Sequence, residues 1–361
     1  MTPVTVSERR AASVHGRMPA TAFYAVILPL LAIAAIAGVV IGSTPLKWST
    51  VVLELASKML PNGWTDPSGV TRADEAIVWL IRMPRVIVAA VVGAGLATAG
   101  VVMQSLFRNP LAEPGLTGVG PGAVLGAVII FVTGWSTASV VALPLTAIVS
   151  AFMALFLVYG IATRGGATPM TTLLLTGIAV GAFLTAISSL LLSLNVVTWQ
   201  VAQEIVFWMM GGLDSRTWAH VWLSAPFVAI GLVAALLQSS KLDLLLLGEE
   251  SAAALGVDVE AAKRLLVVTA ALLTGASVAV AGMVGFVGLI VPHAVRLLLG
   301  PAHRTLLPAT ALAGSTFLIA CDLAARTARP PAEIRLGVVT ALCGAPFFLI
   351  LLLRRLREVH E

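Results

Sequence analysis

Eight stretches of this chain, 18–46, 86–107, 114–163, 165–203, 217–240, 265–295, 305–321 and 336–353, contain no Asp, Glu, Lys or Arg. Such runs leave few alternatives, because about twenty apolar residues of helix cross the roughly 30 Å hydrocarbon core of a bilayer. Inside that core every backbone polar group must be bonded internally, and a helix achieves this within one segment. Composition closes the soluble route: 59% of residues are hydrophobic, 11% are charged, and the mean hydropathy is +1.01. The chain is therefore expected to be an all-α polytopic membrane protein.

Charge and proline mark the membrane surfaces. Arg82-Met-Pro-Arg85 precedes the run at 86–107, and Arg108-Asn-Pro-Leu-Ala-Glu-Pro114 follows it. Pro84 suits a first helical turn, where its missing N–H breaks no bond, whereas Pro110 and Pro114 end the helix. A span over 86–107 is thus predicted, with Arg82 and Arg85 at its outer end. The run at 114–163 is long enough for two crossings, with a break at Thr133-Gly134-Trp135-Ser136, and 265–295 can fold back at Ala281-Gly282-Met283-Val284-Gly285. With one crossing in 165–203 the total is about ten spans. The basic clusters at 9–17, 108, 164, 241, 263–264, 296–304 and 354–357 then share one side, which the positive-inside rule makes cytoplasmic, with both termini. Two crossings in 165–203 would throw the later clusters outside.

Residues 1–20 read as a basic cytoplasmic tail and not a cleavable signal, because the apolar stretch behind them exceeds a signal core. Residues 21–361 form a single transmembrane domain. Its longest outer segment, 43–81, has turn signals at Pro61-Asn62-Gly63 and Asp66-Pro67-Ser68-Gly69 and room for a surface helix at 48–59. The cations are dispersed among loops without interleaved aromatics, so the sequence pI near 9.8 points to no nucleic-acid partner. Glycine-rich stretches such as Gly93-Ala94-Gly95 suit close helix contact.

Chemistry is sparse. His220 and His293 are the only titratable His, Asp, Glu, Lys or Arg residues in the charge-free runs, so the buried ion site of a secondary carrier is missing. No Gly is followed by Lys, which excludes a Walker A phosphate loop; ATP, if used, binds another subunit. Cys321 and Cys343 stand singly and His293 reads as a packing or helix-end residue, so no metal site is expected.

Segment 241–263 differs. Between Gly248 and Gly256 it holds a short helix whose Glu249 and Glu250 suit the positive N-terminal end. Ala252, Leu255 and Gly256 form one small apolar face by i, i+3, i+4 spacing. The polar face lacks the Lys and Arg of helices that lie on lipid, which favours a docked protein partner.

These blocks resemble the permease subunits of type II ABC importers, those for vitamin B12, ferric siderophores and haem. The likeness rests on the Arg-x-Pro-Arg opening at Arg82, Asn109-Pro-Leu-Ala-Glu-Pro-Gly115, Leu173-Leu-Leu-Thr-Gly177, Phe207-Trp-Met-Met-Gly-Gly212, Leu247-Gly-Glu-Glu-Ser-Ala-Ala-Ala-Leu-Gly256, Gly285-Phe-Val-Gly-Leu-Ile-Val-Pro-His-Ala-Val-Arg296 and Leu336-Gly-Val-Val-Thr-Ala341, in family order. It implies a transport subunit and not an enzyme: a ten-helix homodimer with a central pathway in the bacterial inner membrane. Two ATPase subunits would carry ATP and Mg, so this chain holds no cofactor, and a periplasmic binding protein would deliver the cargo.

Carried over, Gly248, Glu249, Ala252, Leu255 and Gly256 would form the ATPase-coupling helix. Arg82, Arg85 and Arg326, the last in the loop between the final two helices, would pair with glutamates of the binding protein. Asn109, Leu111 and Thr171 would lie at the cytoplasmic gate, and Thr176, Gly177, Val180, Gly181 and Leu184 would line the pathway. Haem is the expected cargo, by similarity to the haem branch, with Arg216 or Arg326 meeting its propionates at the rim. A ferric siderophore or cobalamin is the alternative, and an ion-coupled carrier the other function class.

Overall fold

The computed structural model describes residues 18–42, 44–60, 70–135, 139–194, 198–330 and 332–360. The tail at 1–17 and the turn signals at 61–69 lie outside the described residues. Among the described residues fourteen helices, besides a 3-10 turn at Pro114–Thr117, follow in order: α1 (Ala20–Val40), α2 (Trp48–Met59), α3 (Arg72–Leu106), α4 (Val119–Val132), α5 (Ala142–Ala162), α6 (Met170–Leu194) and α7 (Trp199–Met209). Then come α8 (Trp218–Leu237), α9 (Ser239–Leu246), α10 (Glu249–Ala254), α11 (Val259–Ala281), α12 (Val287–Leu299), α13 (His303–Thr327) and α14 (Leu336–His360). Among the described residues, seven helices, α1, α3, α5, α6, α8, α11 and α13, are long and apolar enough to cross a membrane. Three shorter apolar helices, Val119–Val132, Val287–Leu299 and Leu336–Ile350, bring the number to the expected ten.

Chain breaks fall at the turn signals. α4 ends before Gly134, at φ 76°, and α11 ends at Gly282, at φ 67°, a region that glycine enters without steric cost. Residues 165–203 hold one long helix, and the surface helix at 48–59 is present. Gly165 and Gly166, both at positive φ, turn the chain between α5 and α6 and let Arg164 pair with Ala167.

α3 departs from expectation. It begins at Arg72 and runs for 35 residues, so Arg82 and Arg85 stand well inside it and 72–81 is helix instead of outer loop. Thr71 starts it with a reciprocal capping box: Thr71 Oγ1 accepts from Asp74 N–H at 3.2 Å while Asp74 accepts from Thr71 N–H at 3.2 Å. Pro84 would ordinarily break such a helix; here the turn before it, Ala76–Arg82, widens to π-helical spacing.

α3 is the axle of the bundle. In its apolar window 83% of residues are buried, against 28% for α6. It packs on α13 and α12 at glycines: a Cβ on Gly93 would fall onto the Gly314 carbonyl, and one on Gly100 onto that of Gly288. α11 closes the other side, where Ser277 meets Gly95. One end of the bundle, called here the basic end, gathers Arg108, the α5–α6 turn, α9, α10 and the starts of α11 and α13. The opposite end gathers Arg82, Arg85, 211–216, 326–330 and 332–335.

Candidate functional site

At the basic end, α10 is a six-residue helix between two left-handed-side glycines, Gly248 at φ 112° and Gly256 at φ 87°. The expected single apolar face is split. Ala252 has no exposed surface and packs inside the chain, so it cannot meet a partner, whereas Leu255 is 61% exposed and Gly256 is also exposed. Leu255 still continues the last turn, its N–H donating to the Ser251 carbonyl at 3.1 Å, but it stands at the helix end where the chain leaves through Gly256 and stays largely uncovered by the bundle. Glu249 keeps its place in the first turn, and its carboxylate meets Lys263 Nζ at 3.0 Å.

Lys263 is a centre that the sequence reading passed over. Its side chain is among the largest that are fully buried, and its Nζ also meets Glu260 at 2.5 Å and donates to the Thr168 carbonyl at 2.8 Å. Glu260 in turn accepts from the Thr168 N–H at 3.1 Å. The spacing Glu260-x-x-Lys263, just behind the Asp258 N-cap, was the available signal for this pair.

A second chain of hydrogen bonds joins α3, α9 and α13. Ser105 Oγ lies 2.5 Å from His303 Nε2, and His303 Nδ1 lies 2.6 Å from Asp243 Oδ1. The order Ser-His-Asp resembles a hydrolase triad, yet Ser105 and His303 have no exposed surface and no substrate can reach the hydroxyl. Asp243 also accepts from the His303 N–H at 3.1 Å, so the unit caps α13 and pins α9 to the bundle.

Of the expected gate residues, Asn109 is exposed and accepts from Leu111 N–H at 3.0 Å, fixing the turn after α3, and Thr171 is exposed in the first turn of α6. No hydrogen bond joins these two places among the described residues. The expected pathway lining is corrected. Gly177, Val180, Gly181 and Leu184 are buried and Thr176 is half-buried, because this stripe packs on α4: a Cβ on Gly181 would touch Pro121 at 3.3 Å. The bare face of α6 carries Leu175, Ile178, Phe183 and Leu190 instead.

The opposite end corrects the expected cationic patch. Arg82, Arg85 and Arg326 are only 4%, 8% and 4% exposed. Arg82 donates to Val39 and Val40 at 2.9 and 2.6 Å and to the Thr44 carbonyl, and Arg326 donates to that of Gly38. α1 has no cation in its own last turn, so these two supply the positive charge its carbonyl end attracts. Arg85 grips Asp322 at 2.9–3.1 Å and Glu333 at 2.9 and 3.1 Å. Arg326 belongs to the last turn of α13 and not to the following loop.

Beside this network lies a cavity of about 360 Å³, lined by Phe131, Phe207, Trp208, Asp214, Arg216 and Arg335. Arg335 lies over the Phe207 ring at 3.8 Å and bonds Asp214 at 2.8 Å. Arg216 donates to the Val280 carbonyl at 2.5 Å, and burial lowers its guanidinium from the ordinary arginine range while Asp214 opposes the shift.

Comparison with known proteins follows this geometry. The FecCD transport family signature matches residues 30–354. The cobalamin import system permease protein BtuC of Halobacterium salinarum is 46% identical over 81% of this chain and 77% of its own. The hemin transport system permease protein HmuU of Yersinia pestis is 41% identical over 77% of this chain and 84% of its own. A solved metal-chelate type ABC transporter in an inward-facing conformation superposes with TM-score 0.80 at 32% identity, over 92% of this chain and 99% of that one.

Proposed function

We propose a working role for a chain that belongs to the FecCD transport family: it is the membrane-spanning permease subunit of a type II ABC importer and carries a bulky metal chelate inward. The observation that carries the reading is the pairing of a multi-span bundle that has no phosphate loop with an exposed apolar residue, Leu255, beside a short helix at the basic end. That helix is the contact for a separate ATPase, which binds ATP and Mg. By the positive-inside rule the basic end faces the cytoplasm of a bacterial inner membrane.

Two copies of the chain pair along the bare face of α6, and the cargo passes between them against Leu175, Ile178 and Phe183. A periplasmic binding protein docks at the opposite end, on the surface that Arg82, Arg85 and Arg326 brace from within. The cargo is a metal tetrapyrrole, the chemistry shared by cobalamin and hemin. Haem has no advantage within that class, since the cobalamin permease is the more similar of the two relatives compared. The test is reconstitution in proteoliposomes with the ATPase and binding protein: ATP-dependent uptake of haem or cobalamin is expected. Uptake of a ferric siderophore alone would move the cargo class, and uptake without any ATPase would end the importer reading.

A further inference from the structure

We propose that Lys263 is the positioning residue that transmits movement of the ATPase-coupling helix α10 to the α5–α6 turn and so to α6; the proposal rests on the importer reading above. A lysine buried to 1% exposure is costly unless its charge is paired and its donors are used. Here three donors meet three partners on three elements: Glu249 of α10, Glu260 of α11 and the Thr168 carbonyl of the turn. Thr168 is held at both backbone groups, its N–H by Glu260 and its carbonyl by Lys263, and its hydroxyl lies 2.9 Å from that of Thr163. One residue, Pro169, separates Thr168 from the start of α6, and its fixed φ makes that link short and stiff.

α6 is among the least buried of the long helices, whereas α11 is a core helix at 78%. A pull on Glu249 therefore acts between a core anchor and a helix held within its own subunit mainly along one stripe.

The experiment uses the full complex with its ATPase, wild type against Glu249→Ala and Lys263→Met. Hydrogen exchange across 163–170 is followed with and without ATP, and cargo moved per ATP is measured in proteoliposomes. In wild type, ATP is expected to change exchange at 163–170. In either variant that change should vanish, and cargo moved per ATP hydrolysed should fall at least tenfold. Should Lys263→Met not fold, Glu249→Ala decides. An ATP-dependent change in 163–170 that persists in Glu249→Ala overturns the proposal even if cargo remains unidentified. Absence of ATP-driven uptake in wild type counts against the importer reading instead.

Discussion

Each end of the bundle holds a charge network, and the two are built differently. At the opposite end, Arg85, Asp322 and Arg326 are nearly sealed and join α3 to α13, two helices already locked by glycine contacts, with only Glu333, 31% exposed, at the rim. At the basic end, sealed Lys263 holds Glu249 and Glu260, whose side chains are 38% and 36% exposed, and ties together a six-residue helix, a two-glycine turn and one core helix. The first network fastens parts that cannot move apart. The second links parts with little else to hold them. Burial depth of both partners, more than the number of charges, separates a fastening from a joint.

Mutations can break that contrast, and the largest effect should come from Asp322→Ala. It leaves Arg85 and Arg326 buried without their shared carboxylate, at a cost of about 3–5 kcal/mol. Thermal unfolding in detergent should show a strong drop in midpoint or loss of folded yield, and a midpoint near wild type would remove the fastening role. Leu255→Asp at the basic end should do the reverse. The bare permease should unfold as wild type does, while its complex with the ATPase weakens by about 2–4 kcal/mol in co-purification. Equal co-purification would detach α10 from the partner.

A smaller effect is expected for Arg82→Met, which strips the C-terminal carbonyls of α1 of their donor, worth about 1–2 kcal/mol. Faster hydrogen exchange confined to the last turn of α1 is the expected readout; unchanged exchange would mean that Arg326 alone suffices. Least of all should follow from Glu75→Gln, which removes the exposed pair with Lys58 at 2.5 Å and leaves Lys58 beside the buried Glu54. No measurable change in unfolding is expected, because solvent screens such pairs; a clear loss would show that exposed pairs at the opposite end also fasten it.

The spans were legible because charge-free length is a bilayer constraint that packing does not alter, and Gly134 and Gly282 marked their breaks. The long start of α3 was not legible: Arg82-Met-Pro-Arg85 looks like a helix opening unless a π turn absorbs the proline. The short helix between Gly248 and Gly256 could be read from its glycines and Glu249, but the partition of Ala252 inward and Leu255 outward depends on which side of α10 the rest of the bundle covers. Gly177 and Gly181 were assigned to a pathway although small residues on one helical stripe serve packing first. The arginines misled for a related reason. Sequence spacing can bring Arg82 and Arg85 to one neighbourhood, yet only tertiary structure reveals Asp322 and the carbonyls of Val39 and Gly38 waiting there.

Those carbonyls carry a consequence for the order in which the protein is made. α1 is the first described helix to leave the ribosome, and the cations that finish its far end arrive later: Arg82 from α3, and Arg326, which is 288 residues beyond the Gly38 carbonyl it meets. Until α13 has been inserted and has docked on α3, the end of α1 is half-capped. The first segment into the membrane is thus completed by one of the last, and a chain truncated before Arg326 carries its defect at the opposite terminus from the cut.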